Sequence, residues 1–299
     1  MGYRLGLGFL GSVVVLWVVS GFFVNEIGAT YDKPFFLTYV NTSFMILYLA
    51  FARSWSNIGP VSYLAAEFYI FWFASNLFNN ASYFYTSVSS ATIIACTSSF
   101  WTLLIGHWFK VETFTWQKFR LLCLSLAGVM IITLHDTHSD ASRPLLGNIL
   151  ALLGAITYGL YTCLLKYRVG DESQLDTRLF MGLVGLCAFV GLSPVVLILH
   201  YTGVETLSLP SGRVTTLILI NGGVGMLSDL LWVLATLMTS PLIVSVGLSG
   251  TIPVSVLGEF IVSGSGGSVA YFFGAGAVLW SFVRLAQLEG KDHEPTLGH

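Results

Sequence analysis

The sequence predicts an all-α polytopic membrane protein, with ten transmembrane helices arranged as two inverted five-helix repeats. Composition is the first reason. The 299 residues are 55% hydrophobic and only 9% charged, with a mean hydropathy of +0.79. A soluble domain carries about a quarter charged residues to keep its surface wet, so this chain must turn its outer surface to lipid. Segment length is the second reason: runs of about 20 apolar residues, enough to cross a hydrocarbon core about 30 Å thick, follow one another with little between them. Membrane β-strands need only about 9–11 residues, so the runs are helices. Charge placement, the third reason, tests the count.

The spans fall at 3–24, 34–52, 64–85, 88–108, 116–135, 147–166, 178–201, 213–237, 241–261 and 268–288. The first run is longer than a signal-peptide core and has no clear small-residue cleavage site, so it is read as a retained span. Most connections are short, and those before spans four and nine are almost absent. With the N-terminus in the cytosol, ten basic residues fall on the cytosolic side: Arg4, Arg53, Lys110, Lys118, Arg120, Lys166, Arg168, Arg178, Arg284 and Lys291. Only Lys33, Arg143 and Arg213 fall opposite. Basic residues stay cytoplasmic, and a miscounted helix would scramble that alternation. Both termini are therefore expected in the cytosol. The four cysteines lie within apolar segments and indicate no disulfide framework. The sequons at Asn41 and Asn80 lie within spans, where glycosylation is not expected.

An odd number of spans per half turns the second half upside down relative to the first. This divides the chain into repeats at 1–140 and 141–290, with a polar tail at 291–299. The serine-rich run TSVSSATIIACTSSFWTLLIGHWF (86–109) has a counterpart 152 residues later, within TLMTSPLIVSVGLSGTIPVSVLGEFI (236–261). Ser87, Ala91, Ala95, Ser98, Thr102 and Gly106 share one helical face, and the counterparts at 239, 243, 247, 250, 254 and 258 include Thr239, Gly247, Gly250 and Gly258. The copies share smallness, which lets membrane helices approach closely. With Pro253 in the second copy, this stripe is expected to be a packing and gating surface. Thr97 and Ser99, off the stripe, are possible cavity contacts.

Those near-zero loops, together with YDKPFFLTYVNTSF (31–44), TSVSSATIIACTSSFWTLL (86–104), DESQLDTRLFMGLVGL (171–186), LHYTGVE (199–205) and INGGVGMLSDLLW (220–232), carry a resemblance. The chain resembles the drug/metabolite transporter superfamily, and more closely subfamily F of solute carrier family 35, around its fifth member and the fungal vacuolar relatives. The resemblance implies a carrier of small molecules in a vacuolar or other endomembrane. Thiamine-like cations are among the implied substrates, and nucleotide sugars are those of better-known cousins. One departure stands out. The acid that follows the glycine closing each repeat helix in this superfamily is Glu259 in the second half, but His107 stands there in the first.

Ionisable groups inside a membrane cost at least about 2.5–3.5 kcal/mol at a helix centre and usually face a cavity or a partner. Asp229 lies well inside span eight, where Asn221, Gly225, Asp229 and Trp232 share a face. The carboxylate could bind a cation or carry a coupling proton; a structural hydrogen bond is the plainer reading. Span three carries Asn76, Asn79, Asn80 and Tyr83, a polar cluster suited to a midplane site or to gluing helices together. Tyr158 and Tyr161 in span six offer ring faces to a cation or serve as interface anchors, and Tyr39 and Asn41 are weaker candidates. Lys166 is expected to snorkel.

GLGFLG (6–11) matches a dinucleotide fingerprint, but it lies inside a span rather than after a strand. No metal-ligand spacing, cofactor motif, nucleophile–base constellation or basic nucleic-acid surface is present, so catalysis is not expected. The expected partners are a small-molecule substrate and the lipid bilayer, with the chain monomeric or homodimeric. The expected function is secondary transport by alternating access. Nucleotide-sugar exchange, or a receptor or assembly factor on the same scaffold, are the alternatives.

Overall fold

The computed structural model describes residues 2–293 apart from Ala29, Asp32, Arg53, Ser54, Ser56, Asn57, Ser87, 134–143, Glu172, Gln174, Leu209 and 255–268. Within this range every predicted span is helical. The helices are α1 Gly2–Gly28, α2 Pro34–Ser43, α3 Ile58–Tyr85, α4 Val88–Cys96, α5 Ser98–Trp108, α6 Trp116–Thr133, α7 Pro144–Val169, α8 Thr177–Tyr201, α9 Gly212–Met238, α10 Pro241–Leu248 and α11 Val269–His293. Four stretches, Gly2–Val24, Leu145–Val169, Thr177–Tyr201 and Gly212–Met238, are long and apolar enough to cross a membrane by length and composition alone.

Three spans depart from a single helix, span nine by a turn at Ser249 and Gly250 that separates α10 from the helical residues 251–254. Span two begins as α2 and tightens into a 3₁₀ segment, Phe44–Phe51. Span four divides at Thr97 into α4 and α5. The helix starts have local causes. Asp176 accepts from the backbone N–H of Arg178 and Leu179 to open α8. Ser211 accepts from Val214 to open α9, and Ser240 from Ile243 to open α10, with Pro241 in the first turn.

The helices pair α1 with α9, α3 with α7, and α6 with α11, while α2 and the 3₁₀ segment pack on α8. Tyr3 Oη donates to Ala286 O at 2.7 Å, so α1 begins beside the end of α11. The two termini therefore share one face of the bundle. On that face Arg168 also pairs with Glu67 at 3.1 Å. On the far face, the α1–α2 connection is strapped to the α8–α9 connection. Glu205 accepts from the N–H of Phe35 and Phe36 at 2.9 and 3.1 Å, Tyr31 Oη donates to Ser208 O at 2.9 Å, and Arg213 pairs with Glu26. Here Glu205 sits at the positive end of α2. Burial pushes the Tyr31 phenol above its usual range.

α6 and α11 meet backbone to backbone. A Cβ added to Gly128 would lie 2.6 Å from Gly274 O, and one added to Gly274 would lie 2.6 Å from Gly128 O. No side chain fits between these backbones. Gly128→Val or Gly274→Val is expected to destabilise the detergent-solubilised protein by about 1–3 kcal/mol, read as a lower unfolding midpoint. An unchanged midpoint would show that the helices separate freely.

Candidate functional site

Six helices surround a cavity of about 510 Å³. Its lining follows helical spacing on each: Trp17, Ser20, Gly21 and Val24 from α1; Thr38, Asn41 and Thr42 from α2, with Met45 of the 3₁₀ segment; Phe68, Trp72, Ser75, Asn76 and Asn79 from α3; Tyr158 and Tyr161 from α7; Met181 and Val184 from α8; and Gly225, Asp229, Trp232 and Val233 from α9. Asp229 is the only Asp, Glu, Lys or Arg among these lining residues.

Aromatic rings form the wall beside it. Phe68 meets Tyr161 at 5.3 Å and Phe180 at 5.2 Å edge-on, and Tyr161 lies 5.6 Å from Trp232. Tyr158 meets Tyr161 edge-on at 5.2 Å and accepts a hydrogen bond from Trp232 Nε1 at 3.4 Å. Such edge-to-face pairs add to the stabilisation from burial and hold one another's orientation. Tyr48 Oη donates to Met226 O at 3.1 Å and ties α9 to the 3₁₀ segment just above Asp229. A carboxylate in a cavity also lined by Tyr158, Tyr161 and Trp232, with no Lys or Arg among the described lining residues, suits a cationic group. The amides of Asn76 and Asn79 add both donors and acceptors.

The predicted polar residues divide. Asp229, Asn76, Asn79, Trp232, Tyr158 and Tyr161 converge on the cavity, as does the weaker candidate Asn41. Asn221 does not line it: the side chain is buried and accepts from Ser20 Oγ at 2.7 Å, tying α9 to α1. The side chains of Asn80 and Tyr83 lie outside the described residues, as do Ser87, Gly258 and Glu259. None of the described stripe residues lines the cavity. Ala91 and Pro253 are buried, Ser98 O accepts from Thr102 Oγ1, and Gly106 packs against Glu112. Gly247 packs against Leu10 and Phe282, and Gly250 bonds back to Gly247 O.

The family model for SLC35F, solute carrier family 35, matches residues 5–258. The chain belongs to solute carrier family 35. This is a family of transporters, not of enzymes. The chain is 35% identical to an uncharacterized vacuolar membrane protein of Saccharomyces cerevisiae, over 97% of its own length and 92% of that protein. It is 36% identical to an uncharacterized transporter of Schizosaccharomyces pombe, over 94% and 95%. It is 33% identical to the thiamine-repressible mitochondrial transport protein of S. cerevisiae, over 87% and 85%. A crystal structure 15% identical in sequence superposes with a TM-score of 0.77 over 96% of this chain and 99% of its own, a likeness of fold.

In this solute carrier, one part of the site and one contact outside it escape sequence reasoning. The first is the α1 face of Trp17, Ser20, Gly21 and Val24, whose i, i+3, i+4, i+7 spacing is the signal that could have exposed it. The second is Lys166. Rather than snorkelling to water, its ammonium donates to Leu237 O at the C-terminal end of α9. The unpaired carbonyls of a helix end attract a cation, and here one lies within reach across a helix contact.

Asn79 owes its place to Gly154, where an added Cβ would lie 2.4 Å from Asn79 Oδ1. Gly154→Ala should therefore displace the amide and weaken substrate binding by about tenfold, a cost of about 1.4 kcal/mol. Ligand titration of the purified carrier checks this. Loss of stability without loss of affinity would assign Gly154 to packing alone.

Proposed function

We propose that this solute carrier moves a small polar organic cation, of which a thiamine-like molecule is an example, through the central cavity by alternating access. One observation carries the reading: Asp229 faces the cavity beside Tyr158, Tyr161 and Trp232, with no Lys or Arg in the described lining. A carrier of nucleotide sugars must neutralise phosphate, and this lining offers nothing for that. The thiamine-repressible name of one relative points the same way.

Alternating access rests on the two halves, 1–140 and 141–290, being inverted repeats with the tail at 291–299 outside them. The pairing supports this. Exchanging each span with the one five later turns the α1–α9 contact into the α7–α3 contact, and leaves α6–α11 and α2–α8 as pairs. The carrier lies in a vacuolar or other endomembrane with both termini cytosolic, as the vacuolar relative and the basic-residue bias support. Exchange or an ion gradient, with Asp229 available to the coupling ion, drives the cycle.

Uptake into reconstituted vesicles tests the reading. Asp229→Asn should lower uptake of an organic cation by about tenfold or more, because the carboxylate's interaction with a desolvated cation exceeds about 1.4 kcal/mol. Asp229→Glu should keep part of it. Full transport and unchanged pH dependence in Asp229→Asn would overturn the assignment.

A further inference from the structure

The α9–α10 connection, Met238–Ser240, is gripped at both of its helix ends by side chains from elsewhere in the fold. Lys166 of α7 donates to Leu237 O, where α9 ends. Glu112, between α5 and α6, accepts from Leu242 N at 2.9 Å, where α10 begins. Cation on carbonyl end and carboxylate on amide end are the favourable pairings for two helix dipoles. Glu112 is only 5% exposed.

The position of Glu112 follows from how α5 ends. Lys110 takes φ 58°, the left-handed conformation usual for a glycine at that place. Lys110 N then bonds to His107 O at 3.1 Å and Val111 N to Gly106 O at 2.9 Å, both bonds of the Schellman motif. The chain turns back, and Glu112 lands against Gly106, where a Cβ would lie 2.6 Å from Glu112 Cγ. The acid missing in sequence beside Gly106 is thus supplied in space by Glu112. Behind it, Lys118 of α6 lies 3.7 Å from Glu112 and contacts Glu289 of α11.

The cavity floor, at Trp232 and Val233 on α9, lies about one helical turn from Leu237, and Tyr161 lies about one and a half turns from Lys166. On this face the ties join α5–α6, α7 and α11 to α9–α10 and α1. On the far face the described ties run within two groups: the α1–α2 and α8–α9 connections with each other, and Thr86 with Asn148 at 2.8 Å. We propose that Glu112 and Lys166 form a two-sided clasp on the α9–α10 connection, the gate that closes the cavity toward the face carrying the termini. The clasp rests on the transport reading, but not on the identity of the substrate.

The groups facing Glu112 are Lys118 of α6, Glu289 of α11, Tyr3 of α1 and Cys163 of α7, together with Ser240 at the start of α10. Burial first, and the Glu289 carboxylate second, push the Glu112 carboxyl up to about 7 from its ordinary 4.5. An opened gate would hydrate it and return it toward the ordinary value. Between those values the closed form holds a proton that the open form releases to water on the same face. Acid therefore favours the closed gate and alkali the open one.

Cys163 reports the state directly. It is fully buried, and its thiol donates to Thr102 O at 3.4 Å, beside Gly106 and Glu112. In substrate-free carrier with Cys96, Cys123 and Cys187 replaced by Ser, Cys163 is labelled with a membrane-impermeant maleimide, each rate normalised to the denatured protein. Glu112→Ala and Lys166→Met should each raise labelling by about tenfold, as a shift of the gate equilibrium. Glu112→Gln keeps an acceptor for Leu242 N–H, so its labelling should stay slow. It should also lose the rise that wild type shows between about pH 5 and about pH 7. Glu67→Ala, which breaks the exposed pair on the same face, should change nothing. Unchanged labelling in a folded Glu112→Ala or Lys166→Met, or a rise with Glu67→Ala as large, would overturn the clasp. Labelling is read without substrate and uptake by Asp229→Asn is read with it, so failure of the clasp and failure of the cation reading are separable.

Discussion

In hydrocarbon, no backbone N–H or C=O can be left to water, and the rest of this structure follows from that demand. Helices meet it along their length, so the described part of every span is helical. The demand bites hardest where a helix stops. At the far face Glu205 takes the free amides of α2. At the α9–α10 connection a lysine takes the Leu237 carbonyl, while a carboxylate and Ser240 take the amides of Leu242 and Ile243. At helix ends the cost of burying a charged side chain is partly offset, because the ends already carry partial charges of the opposite sign.

The cavity obeys the same accounting with the opposite result. Its wall is mostly apolar and aromatic, and the amides and hydroxyls near it largely satisfy one another or the backbone. Asn76 returns its N–H to Trp72 O at 2.8 Å and Ser75 donates to Gly154 O at 3.0 Å. Asp229 has no charged counterpart among the described lining residues. A membrane-embedded carboxylate without a cation is the expensive arrangement in a membrane protein, and a bound cation would relieve the cost. Edge-on packing of Phe68 and Tyr158 on Tyr161, with Trp232 tilted against Tyr161, holds the neighbouring rings in place.

The spans were legible because lipid imposes one length and one polarity on them, and neither depends on tertiary contacts. The convergence of Asp229, Trp232, Asn76, Asn79, Tyr158 and Tyr161 was legible for a related reason: polar and aromatic groups spaced by helical turns stand out in apolar runs. Trp17 and Ser20 did not stand out, since a tryptophan in a hydrophobic first helix reads as a lipid contact. The break at Thr97 carries no glycine or proline to announce it. Asn221 shares a helical face with Asp229 in sequence, yet α1 covers it through Ser20. Glu112 was hidden more deeply. Its role depends on a reversal of the chain that brings it back to Gly106, and linear spacing places His107 there instead.

That reversal turns on Lys110, whose left-handed backbone would suit glycine better. A non-glycine residue there gives up about 1 kcal/mol of conformational ease. Glycine would relax the turn but remove a cation from the rim of the bundle, beside the exposed Trp108. Two demands meet at this residue: the comfort of the turn, and a positive charge at the rim of a membrane-spanning bundle. The occupant satisfies the second at the expense of the first. Glycine there would ease the turn, yet it would also strip a positive charge from a helix end, where membrane-spanning chains use such charges to set orientation.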